Sequence, residues 1–356
     1  MKGLNFMLLT AAAVTAVAVQ SCSDREGSNP VRVPIVFQSS IVESRGAAAL
    51  TTDGMTDFGL YAAYSSQGGF DASEAVFNNI VNGKFVESGG KWAGRTDYYW
   101  PVSGSLSFVA YAPYSEQSGG IEGLTLPDAS AGTGFPVFAY TPATQGAALS
   151  QMPDLCLSTP LLDRTQPLNG EAEVPLEFHH VLTGVSFYGQ YTVNYLNDDF
   201  DRDYAVKLHS ITLSGLIGTK WVRATQAAPY FEWQPDGSLP RTASYTLTRD
   251  GEQVAMDAIG TSRQLLNPAN GRLFLLPQTT AGAQLTISYG VYLKSTDALL
   301  ATFTTAAVTL PSIEWEAGEQ LDFQLGSALK LNTDQLEIAP DCATAAPELY
   351  NWLQTR

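Results

Sequence analysis

The chain has 356 residues, 45% of them apolar and only 15% charged. That is length for two domains of roughly 150 residues with sizeable cores, and a composition that argues for a globular rather than a disordered protein. Acidic residues outnumber basic ones 35 to 19, and the resulting net charge of -16 argues against nucleic acid and against electrostatic docking on anionic lipid.

The first 22 residues carry Lys2, an apolar run from Phe6 to Val19, and then Gln20-Ser21-Cys22. The apolar run is shorter than the about 20 residues a membrane span needs, so residues 1–21 read as a secretory signal. A small residue directly before a cysteine resembles the bacterial lipobox, in which the cysteine is lipidated through its thiol and becomes the new N-terminus. Gln20 departs from the aliphatic or small residue usual there, and plain secretion with cleavage nearby is the alternative. Under the lipobox reading Cys22 holds the protein at a membrane surface, and residues 22–30 are a polar tether. No later apolar run approaches spanning length, which leaves lipid as the only anchor.

Strand signals begin after the tether. Val31 to Phe37 is β-branched, and Pro34 assigns it to an edge or first strand. Phe58–Tyr64 is a second strand; Val76–Ile80 and Gly83–Glu87 read as a hairpin pair; Lys91-Trp92 follows a Gly89-Gly90 turn; Ser105–Tyr111 alternates well and ends at Pro113. Residues 115–150 are rich in Gly, Ala, Ser and Pro and read as loops around one short strand at Val137-Phe138. The polar, turn-rich stretch 161–173 is expected to separate two domains. Strands then resume at Val174–Phe178, Val181–Tyr191, Val206–Leu213, Arg241–Thr248, Arg272–Leu276, Leu285–Leu293, Leu300–Leu310 and Gln320–Leu325. Short aromatic and β-branched segments separated by Gly, Pro, Asn and Asp turns are the pattern of β-sandwiches. Only the tail, Ala345–Gln354, has room for one or two helical turns.

No constellation for catalysis stands out. The histidines are His179, His180 and His209, and adjacent residues on a strand face opposite ways, so the first two do not chelate one metal together. No nucleophile elbow, phosphate loop, zinc-protease helix or Cys-x-x-Cys pattern occurs. No enzyme activity and no cofactor are expected. Asp199, Asp201 and Asp203 would offer hard oxygen ligands to calcium, but a helix–loop–helix calcium site would also need Gly and Glu where Tyr204 and Ser210 stand. A solvated acidic loop is the plainer reading. With Cys22 assigned to lipid, Cys156 and Cys342 either pair, as export permits, or are two buried thiols. Trp92, Tyr98-Tyr99-Trp100, Trp221, Trp233 and Trp315 would serve as sugar-stacking platforms or as core.

Five stretches in order resemble the fimbrillin family, the subunits and associated lipoproteins of Bacteroidales type V pili. They are Ile35-Val36-Phe37 with Ser44-Arg45-Gly46; Trp92 with Tyr99-Trp100-Pro101 and Leu106 to Pro113; Asp154-Leu155 before Cys156; Leu176 to Phe187; and Phe274 to Gln278 with Trp315 to Phe323. The resemblance implies an all-β chain of two tandem transthyretin-like β-sandwich domains, here 31–165 and 174–328, with 329–356 as a donor strand or cap. It implies an outer-membrane lipoprotein or fimbrium subunit that partners other pilus subunits by strand exchange. In polymerising members an arginine-specific protease cuts after the first strand, and a strand of the next subunit fills the vacated groove. The matching cleavage position is Arg45, and the displaceable strand is Val31 to about Ile41, with Val33, Ile35 and Phe37 pointing one way. Stalk, anchor and tip roles all remain open, with a host or bacterial surface ligand for an adhesive role. A surface glycan-binding lipoprotein is the alternative.

Overall fold

A computed structural model describes residues 32–42, 50–66, 69–128, 132–145, 152–168, 173–189, 203–248, 254–255, 263–264 and 272–325. Every secondary-structure element among them is a strand. The first half carries β1 (Phe37–Ile41), β2 (Asp57–Ser65), β3 (Ile80–Ser88), β4 (Lys91–Gly94), β5 (Ser105–Ala112), β6 (Leu124–Thr125), β7 (Val137–Tyr140), β8 (Cys156–Ser158), β9 (Leu161–Arg164) and β10 (Val174–His180). The second half carries β11 (Thr183–Gly189), β12 (Tyr204–Leu216), β13 (Lys220–Ala224), β14 (Phe231–Trp233), β15 (Ala243–Thr248), β16 (Val254–Ala255), β17 (Arg263–Gln264), β18 (Leu273–Leu275), β19 (Gln284–Leu293), β20 (Ala298–Thr304), β21 (Val308–Thr309) and β22 (Gln320–Leu325).

The first sheet runs β1-β10-β8-β5-β2-β3-β4, with β9 also paired to β5. Its centre is buried on both faces, so β5 is buried along its whole length, where the alternation of Ser105–Tyr111 suggests one buried face. Leu106, Phe108 and Ala110 enter one core, and Val109 and Tyr111 enter another, as the two-residue period of a strand requires. The first core is filled from this sheet and its approaches by Ile35, Phe37, Phe58, Leu60, Phe85, Trp100, Leu176 and Phe178. The second lies between the opposite face and the sheet β14-β13-β7-β6, where Phe138, Tyr140 and Val222 meet Tyr61 and Tyr111. A third core is a sandwich proper. One layer is β11 with β17, β18 and β22; the other is β15-β12-β19-β20 with β16 and β21. Phe187, Leu273 and Phe323 face Leu208, Ile211, Tyr245 and Val291 across it.

Three of the departures from the sequence pattern concern the first sheet. Val76–Asn79 is not a strand. β3 is continuous from Ile80, because the register slip opposite Leu60–Ala62 absorbs Asn82 at φ 49°. The hairpin is instead β3–β4, turned by Gly89 and Gly90 at φ 63° and 82°, the two left-handed positions such a tight turn needs. Second, residues 161–173, expected between domains, contain β9, paired to β5 in the first sheet. Third, β10, expected to open the second domain, lies between β1 and β8. The chain leaves the first sheet only after His180, and β7 and β13 pair early chain with late chain.

Candidate functional site

The first strand enters the fold in two steps. Pro34 forms an antiparallel bridge with Tyr99; Ile35 N–H donates to the Tyr98 carbonyl at 2.8 Å, and Trp100 N–H donates to Val33 O at 2.9 Å. A proline is tolerated there because its missing N–H is not called on by the ladder. The strand then turns to its other neighbour. Phe37 to Ile41 pair in parallel with Val174 to Phe178, and Val42 N–H closes the ladder on Phe178 O at 2.8 Å. The residues before and within β1 therefore join the 98–100 segment to β10.

The side chains act as a plug. Ile35, Phe37 and Ile41 are buried in the first core, and Val33 packs partly buried against it. The Phe37 ring stands edge-on to three others, with centroids 4.8 Å from Phe85, 5.6 Å from Phe108 and 6.0 Å from Phe58. Behind them Phe58 stacks on Phe85 at 5.1 Å and 9°, and Phe178 and Trp92 tilt against Phe58. Edge-to-face pairs of this kind are worth about 0.5–1.5 kcal/mol beyond area burial. The slot is lined by aromatics from β2, β3, β5 and β10, and Phe37 and Ile41 of β1, with Ile35 just before it, fill it.

The chain returns at Leu50, whose N–H donates to Asp154 Oδ2 at 2.9 Å. Asp154 belongs to a buried cluster. His180 Nδ1 is 2.8 Å from the same carboxylate oxygen, and Cys156 Sγ is 3.5 Å from Nδ1. His180 and Cys156 are direct partners in the β10–β8 ladder. Burial, and then the neighbouring Asp154 carboxylate, push the Cys156 thiol well up. Cys156 is a free buried thiol. The arrangement is no nucleophilic triad, because acid and thiol meet the same imidazole nitrogen, where a relay needs opposite nitrogens.

His179 and His180 do face opposite ways. His179 is half-buried beside Glu177, Thr159, Tyr230 and Phe231, and burial holds its pKa low. His209 lies 2.8 Å from the Tyr292 hydroxyl. Of the residues expected on one displaceable strand, Phe37 lies in β1, while Val33 and Ile35 precede it and pair with the 98–100 segment; Ile35 and Phe37 enter the first core and Val33 packs against it. Cys22, Arg45, Asp199, Asp201, Cys342 and the segment 329–356 lie outside the described residues. Asp203 stands at the entry to β12, where its carbonyl accepts the Lys294 N–H. The cluster of Asp154, Cys156 and His180 is not visible as a site in sequence. Only the two-residue spacing of Asp154 and Cys156 hints at it, and the register that brings His180 alongside is long-range.

Most of the aromatics serve the cores. Trp100 and Trp315 are buried, and Trp233 Nε1 donates to Val181 O at 2.7 Å. Tyr64 and Tyr99 are aromatic side chains that are exposed to solvent. An open cavity of about 520 Å³ lies between the β13–β14 strands and the 314–317 segment, lined in part by Phe231, Trp233, Lys220, Glu314 and Glu316.

No curated protein matches the chain. Among solved structures, a fimbrial protein from Bacteroides vulgatus ATCC 8482 superposes with a TM-score of 0.59 at 17% identity, covering 82% of this chain and 95% of that one. A protein of Bacteroides uniformis ATCC 8492, provisionally described as a cell adhesion protein, aligns over 88% of this chain and 99% of its own at 15% identity and a TM-score of 0.47. At such identities the first of these speaks for the fold alone. The fimbrillin-like family model matches residues 47–340, most of the chain. The chain belongs to the fimbrillin-like family.

Proposed function

We propose that this protein is a non-enzymatic structural or adhesive subunit of a surface pilus, exported as a lipoprotein through Cys22 and joined to its neighbours by strand exchange. Family membership supports a fimbrial role at the cell surface and association with other pilus subunits. The observation that carries the exchange is the plug itself: a five-residue strand at the N-terminal end of the fold, in parallel register with β10, whose Phe37 fills an aromatic slot built by other strands.

Cutting after Arg45 would free that strand together with the lipid. The row of β10 backbone groups that now bond to β1 would lose its partners, and the apolar slot would open to water. A strand donated by a second subunit restores the ladder and fills the slot with alternate side chains. Each fully buried aliphatic or aromatic side chain returns roughly 1.5–3 kcal/mol. A head-to-tail contact of this kind does not close on itself, so it propagates as a fibre. The donor in this reading is 329–356. Two tandem sandwiches, one around β1's core and one around the third core, are part of the same proposal.

The test is treatment of the chain from Ser23 with an arginine-specific protease, followed by electron microscopy. Cleavage at Arg45 with fibres supports a stalk subunit. Clean cleavage with a product that stays monomeric at high concentration removes the stalk role and leaves anchor, tip or ligand binding.

A second reading, a surface glycan-binding lipoprotein, is favoured by the cavity beside Phe231 and Trp233, where aromatic faces and the Glu314 and Glu316 carboxylates line one space. Loss of glycan binding in Trp233→Ala, with fibre formation intact, would separate it from the first.

A further inference from the structure

We propose that Asp154, Cys156 and His180 form a binding site for one zinc-like divalent cation, held by carboxylate, thiolate and imidazole. The three ligand atoms lie within 4.8 Å of one another, and all three residues are buried. The proposal is independent of the pilus reading.

Three different donors converge because of the ladder. His180 and Cys156 are opposite each other on β10 and β8, so their side chains share a face of the sheet. Asp154 precedes Cys156 by two residues and reaches the same imidazole nitrogen. Nδ1 sits at hydrogen-bond distance from Oδ2, so in the metal-free protein it carries the proton and donates to the carboxylate. That leaves Asp154 Oδ1 and His180 Nε2 buried with no hydrogen-bond partner. Two orphaned buried polar atoms in one cluster are unusual in a folded protein. A cation explains the first of them: with Oδ2, Oδ1 completes a bidentate carboxylate, giving four donor atoms with Cys156 Sγ and His180 Nδ1.

The charges also balance. Binding displaces the proton on Nδ1, which passes to Nε2 as the imidazole changes tautomer. The thiol proton leaves to solvent. A divalent cation with one thiolate, one carboxylate and a neutral imidazole is then a buried group of zero net charge. A sulfur, nitrogen and oxygen donor set suits zinc, and it suits calcium and magnesium poorly because they take oxygen ligands. Bound there, the ion would tie β8 to β10, the strand on which β1 docks, and through Asp154 it would steady Leu50, where the chain re-enters the fold.

The experiment uses the chain with Cys22→Ser and Cys342→Ser, leaving Cys156 as its one cysteine, in a tag-free form kept reduced. Zinc is added in a calorimeter and in a thermal melt, and cobalt is added in a spectrophotometer. The expected result is one zinc per chain, a raised melting temperature and a thiolate-to-cobalt absorption band. Cys156→Ser and His180→Gln should each weaken zinc binding by at least about 100-fold, since even groups that only orient metal ligands cost 10–100-fold. Circular dichroism of the metal-free variants checks that they fold, and if one does not, the cobalt band of the parent protein decides. No zinc bound, zinc binding that survives both substitutions, or a cobalt complex lacking the sulfur band would each overturn the site.

Discussion

Phe37 meets Phe85 edge-on, with ring centroids 4.8 Å apart and planes at 76°. One ring belongs to β1 and the other to β3, so this contact joins the first described strand to the middle of its core. Phe37→Ala should cost about 3–5 kcal/mol, the range for deleting a buried aromatic. Guanidinium unfolding would show a lower midpoint at unchanged slope. A loss under 1 kcal/mol would mean that the strand contributes little to the closed fold.

The second prediction concerns a close approach. Gly59 and Tyr111 are cross-strand partners, and a Cβ at Gly59 would lie 2.1 Å from Tyr111 Cε1. The ring cannot swing aside, because its hydroxyl lies 2.6 Å from Asn82 Oδ1 and accepts the Ser115 N–H at 3.1 Å. Gly59→Ala should destabilise by about 1–3 kcal/mol or more through overpacking. In a Tyr111→Leu background the same substitution should cost less, and a double-mutant cycle reads the difference.

A third prediction is set by pH. Asp236 accepts Lys220 Nζ at 2.9 Å, Arg241 Nη2 at 3.0 Å and the Thr279 N–H at 2.9 Å. Burial alone would raise its pKa, but the bonds from Lys220 and Thr279 and the charges of Lys220 and Arg241 outweigh it and hold the carboxyl below its usual range. The unfolded chain therefore binds this proton more readily than the fold does. The Asp236 contribution is present above about pH 4 and is lost as pH falls through the lowered folded value. Asp236→Asn should flatten that part of the acid limb. It should also cost about 3 kcal/mol at neutral pH, because it strips the carboxylate from a buried Lys220.

The fourth prediction follows from the proposed exchange. A protein cut after Arg45 and freed of its leader should gain melting temperature when a peptide of residues 32–42 is added, by linkage of binding to folding. The same peptide with Ile35, Phe37 and Ile41 changed to Asp should have no effect. Equal shifts from both peptides would show that the slot is not what they bind.

The strand composition of the fold is legible in the sequence because most strands carry a local signal. Phe58–Tyr64 and Ser105–Tyr111 are dense in apolar β formers, and both are found as β2 and β5. Strands without such a signal are missed. β8 is only Cys156–Ser158, and β13 and β14 are short and partly exposed; they exist because their neighbours in the sheet exist. The place where the first sheet ends is not legible either. Val174–Phe178 looks alike whether its ladder partner is β1 or a strand of the second half, since residue pattern fixes the face of a strand and not its neighbour. The plug residues Val33, Ile35 and Phe37 could be singled out because alternation is local. The meeting of Asp154 and Cys156 with His180 could not, because it depends on a register set elsewhere.

The parallel ladder between β1 and β10 has a consequence for the order of events. A chain made from its N-terminus has Phe37 in hand long before Val174 exists, so the strand that begins the fold has no edge to dock on until the first sheet is otherwise nearly complete. Through that interval Ile35, Phe37 and Ile41 have only an unfinished slot to enter. When the edge does appear, the chain's own strand holds one advantage over any other of the same pattern: it is tied nearby and so present at high effective concentration. Possession of the slot is then decided by the tether as much as by the fit.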